Sequence, residues 1–126
     1  MIRAKSIYKP KEDEDGTRIL ITRFYPRGVR KDHFDQWLRE LAPSKDLLKG
    51  YKAGTINEKQ FTAMFLDQIK ASEESQNTIR ALCEISRNTN VTLLCYERDG
   101  DFCHRHILHD IISNQMASQE MLARPF

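Results

Sequence analysis

The run Val91-Thr92-Leu93-Leu94-Cys95 constrains the fold more than any other stretch of the chain. A strand with one face in water alternates apolar and polar residues, whereas a strand covered on both faces reads as an almost unbroken apolar run. Only Thr92 interrupts this one. It predicts an interior strand of a parallel sheet, and a parallel sheet requires crossover segments, usually helices, between its strands.

The flanking segments supply them. Ala4 to Lys9 reads as a short strand near the sheet edge, followed by a charged turn from Pro10 to Gly16 expected to be solvated and mobile. Thr17 to Phe24 is β-branched and apolar, a stronger strand that stops at Tyr25-Pro26-Arg27-Gly28. Asp32 is a suitable N-cap, and Phe34, Trp37, Leu38 and Leu41 follow at helical spacing, predicting an amphipathic helix ended by Pro43. Ser44 should cap a further turn carrying Leu47 and Leu48, closed by Gly50. Thr55 and Glu58 form a capping-box pattern before a helix whose inner face is Phe61, Phe65 and Ile69. A third helix is expected from Glu73 to Arg87, with Ile79, Leu82, Cys83 and Ser86 inward. A last one starts near Phe102, carries Ile107, Leu108, Ile111 and Ile112, and frays from about residue 115. The expectation is one α/β domain over residues 1–126, a short, mainly parallel sheet covered by helices.

Composition narrows the function classes. Hydrophobic residues make up 40% of the 126 and charged residues 30%, enough to build a core and contrary to wholesale disorder. The net charge of +2 does not indicate a general nucleic-acid binder, although nucleic acid remains a possible partner. No apolar run reaches the roughly eighteen residues of a membrane span. Met1-Ile2-Arg3-Ala4-Lys5 lacks the apolar stretch of a signal peptide, so the cytoplasm is the expected location. Three cysteines, Cys83, Cys95 and Cys103, without that signal are expected as reduced thiols.

If the strands at Ile19–Phe24 and Val91–Cys95 are parallel neighbours, their carboxyl ends meet where open α/β sheets bind ligands. One end offers Arg23, Tyr25, Arg27 and Arg30; the other offers Cys95, Glu97 and Cys103-His104-Arg105. With Ile107, Leu108, Ile111 and Ile112 inward, helical phase buries His104, puts Cys103 and Arg105 on its borders, and turns His106 and His109 outward. Asp101 as N-cap would place Cys103 and His104 in the first turn, where a helix terminus and a cationic neighbour acidify a thiol. Cys103 is then a candidate nucleophile or redox thiol, His104 its base and Glu97 an acid or orienter. Arg23, Arg27 and Arg105, with Tyr25 and Cys95, are candidate ligand contacts for a small anion of the nucleotide or phosphate kind. The same residues also fit a plainer role: a half-buried cysteine, a hydrogen-bonded core histidine, a surface arginine. Cys95 fits either a core position or a second thiol at the strand mouth, while Cys83 fits the core.

Two rivals come from other classes. A non-catalytic module could dock an acidic protein or nucleic acid through the basic rim around Arg27–Lys31. A metal-binding sensor could use Cys103, His106 and His109, a drifting stripe on one helix; both histidines face solvent there with no fourth ligand, so no metal site is expected. Neither Cys95 nor Cys103 has an arginine at Cys-x5-Arg spacing, and no Gly-rich phosphate loop is present.

Thr22-Arg23-Phe24-Tyr25-Pro26-Arg27-Gly28-Val29 and Trp37-Leu38-Arg39-Glu40-Leu41-Ala42-Pro43-Ser44 resemble the YeaO-like group of the family called domain of unknown function 488. Leu93-Leu94-Cys95-Tyr96-Glu97, with Cys103-His104-Arg105, is similar to a signature of the wider family, so the chain carries both. The match covers Tyr8 to about Ile112. It implies a compact α/β fold with a pocket near these motifs.

Overall fold

A computed structural model describes residues 1–98 and 100–123, with side chains through residue 117. Its strands are β1 (Ile2–Ser6), β2 (Thr17–Leu20), β3 (Gln36–Trp37) and β4 (Val91–Cys95). Its helices are α1 (Lys45–Lys52), α2 (Glu58–Ala71), α3 (Glu73–Ser86) and α4 (His104–Ala123). The sheet order is β1-β4-β2-β3, and every neighbouring pair is parallel. The chain is thus a single α/β domain with a small parallel sheet. β4 is interior and all five of its residues are buried, as its apolar run requires. β1 lies at an edge, shifted toward the N-terminus from its expected position.

The pleat sorts side chains into two layers. Ile2, Ile19, Ile21, Val91 and Leu93 face the helices and meet Phe61, Phe65, Ile69, Ile79, Leu82, Cys83, Leu108 and Ile112 in one core. On the opposite face Ile7, Leu20 and Leu94 are covered by Val29, Phe34, Trp37 and Tyr96. Val29, Phe34 and Trp37 of that cover come from the connection after β2, and Tyr96 follows β4.

The connection is where the predicted helix over Phe34–Leu41 is overturned. It folds as 3-10 turns at Lys31–His33 and Arg39–Leu41 around the two-residue strand β3. The cause is the open edge of β2. Asp35 donates its N–H to the Arg18 carbonyl (2.8 Å) and its carboxylate accepts the Arg18 N–H (2.7 Å). The Leu38 N–H reaches the Leu20 carbonyl at 2.9 Å and the Trp37 indole reaches the Thr22 carbonyl at 2.7 Å. The apolar residues that looked like one stripe then divide, Phe34 and Trp37 to one layer, Leu38 and Leu41 to the other.

The charged turn also departs from expectation, because Asp15 is fully buried. Its carboxylate pairs with Arg18, itself fully buried, and accepts from Lys5 Nζ at 3.0 and 3.1 Å. Gly16 lets the chain leave this turn: at φ 62°, a Cβ would stand 2.0 Å from the Asn90 carbonyl oxygen.

The helices largely follow their signals. Ser44 caps α1, accepting from the Leu47 N–H, but the helix continues through Gly50, where an added Cβ would strike Ile56 Cδ1 at 2.4 Å. α2 is capped by Asn57 with Gln60, not Thr55 with Glu58. In α3 the inward residues are those expected. α4 begins at His104, leaving Cys103 rather than Asp101 at its cap position. α4 runs to Ala123, and the expected fraying falls partly outside the described residues. No helix among the described residues is long and apolar enough to cross a membrane.

Candidate functional site

Parallel pairing brings the carboxyl ends of β2 and β4 side by side, and α4 starts directly over them. Cys95 is the last residue of β4 and lies on the helix-facing side, in phase with Val91 and Leu93. Cys103 and His104 descend on it from the start of α4. All three are buried, with 1%, 4% and 4% of their surfaces exposed.

The cluster is tight. Glu97 Oε2 lies 2.7 Å from Cys95 Sγ and 3.2 Å from Cys103 Sγ. His104 Nδ1 lies 3.6 Å from Cys103 Sγ and 4.0 Å from Cys95 Sγ. The other imidazole nitrogen, Nε2, is 2.6 Å from the Ile21 carbonyl oxygen at the end of β2. A carbonyl only accepts, so Nε2 carries a proton and, in the neutral ring, Nδ1 presents its lone pair to the sulfurs. The Phe65 ring packs edge-on against the imidazole at 5.6 Å and fixes its plane.

Arg105 completes the Cys-His-Arg element in another way. Its guanidinium, fully buried, donates to the carbonyls of Glu97 (3.0 Å) and Arg98 (2.7 Å). It clamps the loop that delivers Glu97 to the two sulfurs. These two bonds go to backbone carbonyls of the loop after β4.

The electrostatics of the two sulfurs differ in direction. The Cys95 thiol, donating toward Cys103, lowers the Cys103 pKa; burial opposes this, and His104 and the Arg105 backbone N–H add to the lowering. Burial pushes the Cys95 thiol well up, with the neighbouring Cys103 and Glu97 in the same direction. Glu97 is raised too, first by burial and then by the Cys103 charge. Of the two sulfurs Cys103 is therefore the more acidic and Cys95 the less, and Glu97 holds protons more readily than an ordinary carboxylate.

The residues from the other strand end go elsewhere. Arg23 donates to the carbonyls of Pro43 and Ala42, both at 2.9 Å, tying the end of β2 to the approach to α1. Tyr25 packs edge-on against Phe34 and Trp37 and donates to the Val29 carbonyl at 2.6 Å. The exposed Arg27 offers its carbonyl to the Tyr8 hydroxyl. Arg30 pairs with Asp32 in solvent. The segment after β2 enters the thiol cluster through a backbone atom, the Ile21 carbonyl, which no side-chain motif marks. Phe65 likewise carried only a core signal. The parallel pairing and the inward phase of His104 were the available clues to both.

His106 is exposed and His109 half-buried, so the stripe of Cys103, His106 and His109 does not converge. Among the described residues the group able to hold a metal is Cys95, Cys103 and His104, whose donor atoms lie within 4.8 Å of one another.

A separate groove of about 510 Å³ is lined by Phe24, Lys45, Leu48, Lys49, Lys52 and Ala53. The Lys45 ammonium stands 5.7 Å from the centre of the exposed Phe24 ring. Tyr51, on the same helix, packs at 5.4 Å on Phe102, the residue before Cys103.

The chain is 30% identical to the uncharacterized protein YeaO of Escherichia coli K12 over 111 residues, 86% of this chain and 94% of that protein. It is 31% identical over 75 residues to an uncharacterized protein of Mycobacterium tuberculosis, covering 56% of this chain and 62% of that one. No solved structure matches it. The chain belongs to the DUF488-N3a family, the active DUF488-N3 subclade, whose model matches residues 2–116.

Proposed function

We propose that the protein is a thiol-dependent enzyme acting on a small anionic substrate, with Cys103 as nucleophile. The observation that carries this reading is the placement of the Cys103 sulfur at the start of α4 within reach of three proton carriers, Cys95, His104 and Glu97. A buried thiol with only a packing role does not gather such partners. The family's description as the active subclade agrees with it.

The roles follow from the proton balance. The Cys103 thiolate bonds to the electrophilic centre of the substrate, and the leaving group departs with the proton of Glu97. Water then cleaves the covalent intermediate, regenerating the thiolate, and its released proton returns to Glu97. His104, pinned to Ile21 through Nε2, takes the Cys103 proton on Nδ1 as its base, and the imidazolium so formed stabilises the thiolate. Arg105 holds the Glu97 loop in place. The anionic character of the substrate is inferred from the lysines of the α1 groove, with Arg23 near Lys45 at the entrance to α1.

The test is the pH profile of iodoacetamide labelling, with the modified residue identified by mass spectrometry. Cys103 should label well below pH 8.5, more readily than Cys83. Labelling of Cys103 that rises only above about pH 8.5, as for a free thiol, overturns the activated-thiolate assignment.

A further inference from the structure

The geometry points to a second capacity of the same cluster: Cys95, Cys103 and His104 form a binding site for a thiophilic divalent cation of the zinc type, with Glu97 over the fourth position. Around tetrahedral zinc, with bonds of about 2.3 Å to sulfur and 2.0–2.1 Å to imidazole nitrogen, neighbouring donors stand about 3.5–3.8 Å apart. The 3.6 Å between Cys103 Sγ and His104 Nδ1 meets that spacing, and the 4.0 Å from Cys95 Sγ needs only a small inward movement. Glu97 Oε2 touches both sulfurs and stands beside the fourth position, which a water would fill.

Two features beyond the distances favour a metal. Metal-binding histidines characteristically donate their second ring N–H to a carboxylate or backbone carbonyl, which fixes the ligating nitrogen. His104 has this arrangement, with Nε2 held by the Ile21 carbonyl and Nδ1 turned to the sulfurs. Charge balance is the other. Two thiolates, a neutral imidazole and a divalent cation sum to zero, which a buried site tolerates, whereas two bare thiolates there would not be. On binding, the ion takes the place of the Cys95 proton, which is released to solvent. Coordination draws electron density from the Cys103 sulfur into the metal bond and lowers its nucleophilicity, so the cation damps the Cys103 nucleophile. That regulatory half rests on the thiolate reading above; the binding half does not.

Cobalt(II) titration of the reduced full-length chain tests both. One saturating equivalent should produce a sulfur-to-cobalt charge-transfer absorption with tetrahedral ligand-field bands, and zinc should displace it. Cys95→Ser and Cys103→Ser should each weaken the charge-transfer band and the double variant abolish it, while Cys83→Ser leaves it unchanged; circular dichroism checks that each variant is folded. No charge-transfer band, or one that survives the double substitution, overturns the metal site. Iodoacetamide labelling of the same samples separates the two readings. Cobalt binding that protects a low-pH-reactive Cys103 supports the switch, and cobalt binding with unimpeded labelling overturns it. Low-pH labelling without cobalt binding ends the metal inference and leaves the enzyme reading intact. Cobalt binding to a chain whose Cys103 labels like a free thiol ends the enzyme reading and leaves the metal site.

Discussion

At the scale of single residues, the chemistry turns on which sulfur keeps the proton. Cys95 ends a buried strand and its thiol is disfavoured as an anion; Cys103 caps a helix and receives hydrogen bonds. Removing the Cys95 donor should therefore raise the Cys103 pKa. A hydrogen bond to a charged group is worth roughly 1.5–3 kcal/mol, and a pKa unit about 1.4, so Cys95→Ala should move the Cys103 labelling profile about one to two units alkaline. An unchanged profile would mean that Cys95 does not act as the donor. Glu97→Gln separates proton delivery from packing: it keeps the shape, loses the titrating proton, and should depress turnover while leaving Cys103 labelling intact. The sequence showed Cys103, His104, Glu97 and Cys95 as one neighbourhood because helical phase and strand direction are encoded locally. It could not show that Arg105 binds the Glu97 and Arg98 carbonyls, since these partners are backbone atoms of a loop without periodicity.

At the scale of elements, β4 and α3 were legible because their patterns answer to one environment each. The Phe34–Leu41 segment was not, because its apolar residues serve two layers while their spacing imitates a single stripe. What decides its fold is a non-local demand: β2 has an open edge, and Asp35 satisfies the Arg18 backbone from both its N–H and its carboxylate. Asp35→Ala should leave the Arg18 N–H, on a fully buried residue, without its acceptor and cost about 1–3 kcal/mol, measured as a lowered urea midpoint with an unchanged slope. Because Trp37 pairs with Leu20 in that register and its indole holds the Thr22 carbonyl, its fluorescence should report the same loosening. A variant as stable as the parent, with unaltered emission, would show that the strand pairing does not depend on this side chain.

At the scale of the whole molecule, the sheet is stabilised differently on its two sides. One face packs against four helices through apolar side chains. On the other, beside the small Ile7, Leu20 and Leu94 cluster, a buried ion network joins Lys5 of β1, Arg18 of β2 and Asp15 of the turn between them, and Thr92 of β4 donates to the Asp15 carbonyl at 2.8 Å. The acidic run Glu12-Asp13-Glu14-Asp15 looked like a solvated turn because nothing in its composition marks one carboxylate for burial; only the fold brings two cations onto it. Burial by itself would raise the Asp15 pKa, but the Glu12 backbone N–H, the Lys5 ammonium and the Arg18 guanidinium outweigh it and hold the group below its ordinary 3.8. A carboxylate with a depressed folded-state pKa binds fewer protons folded than unfolded. Its contribution to stability is therefore complete above about pH 4 and is lost as pH falls through the lower folded value. Asp15→Asn should lose that acid-dependent increment and, by leaving two buried cations without their counter-ion, cost about 3–5 kcal/mol at neutral pH. Thermal melts of both proteins from pH 7 to pH 2 measure this directly: the gap should be widest near neutrality and narrow below pH 4. A gap that stays constant with pH would assign the loss to packing rather than to the ionised carboxylate.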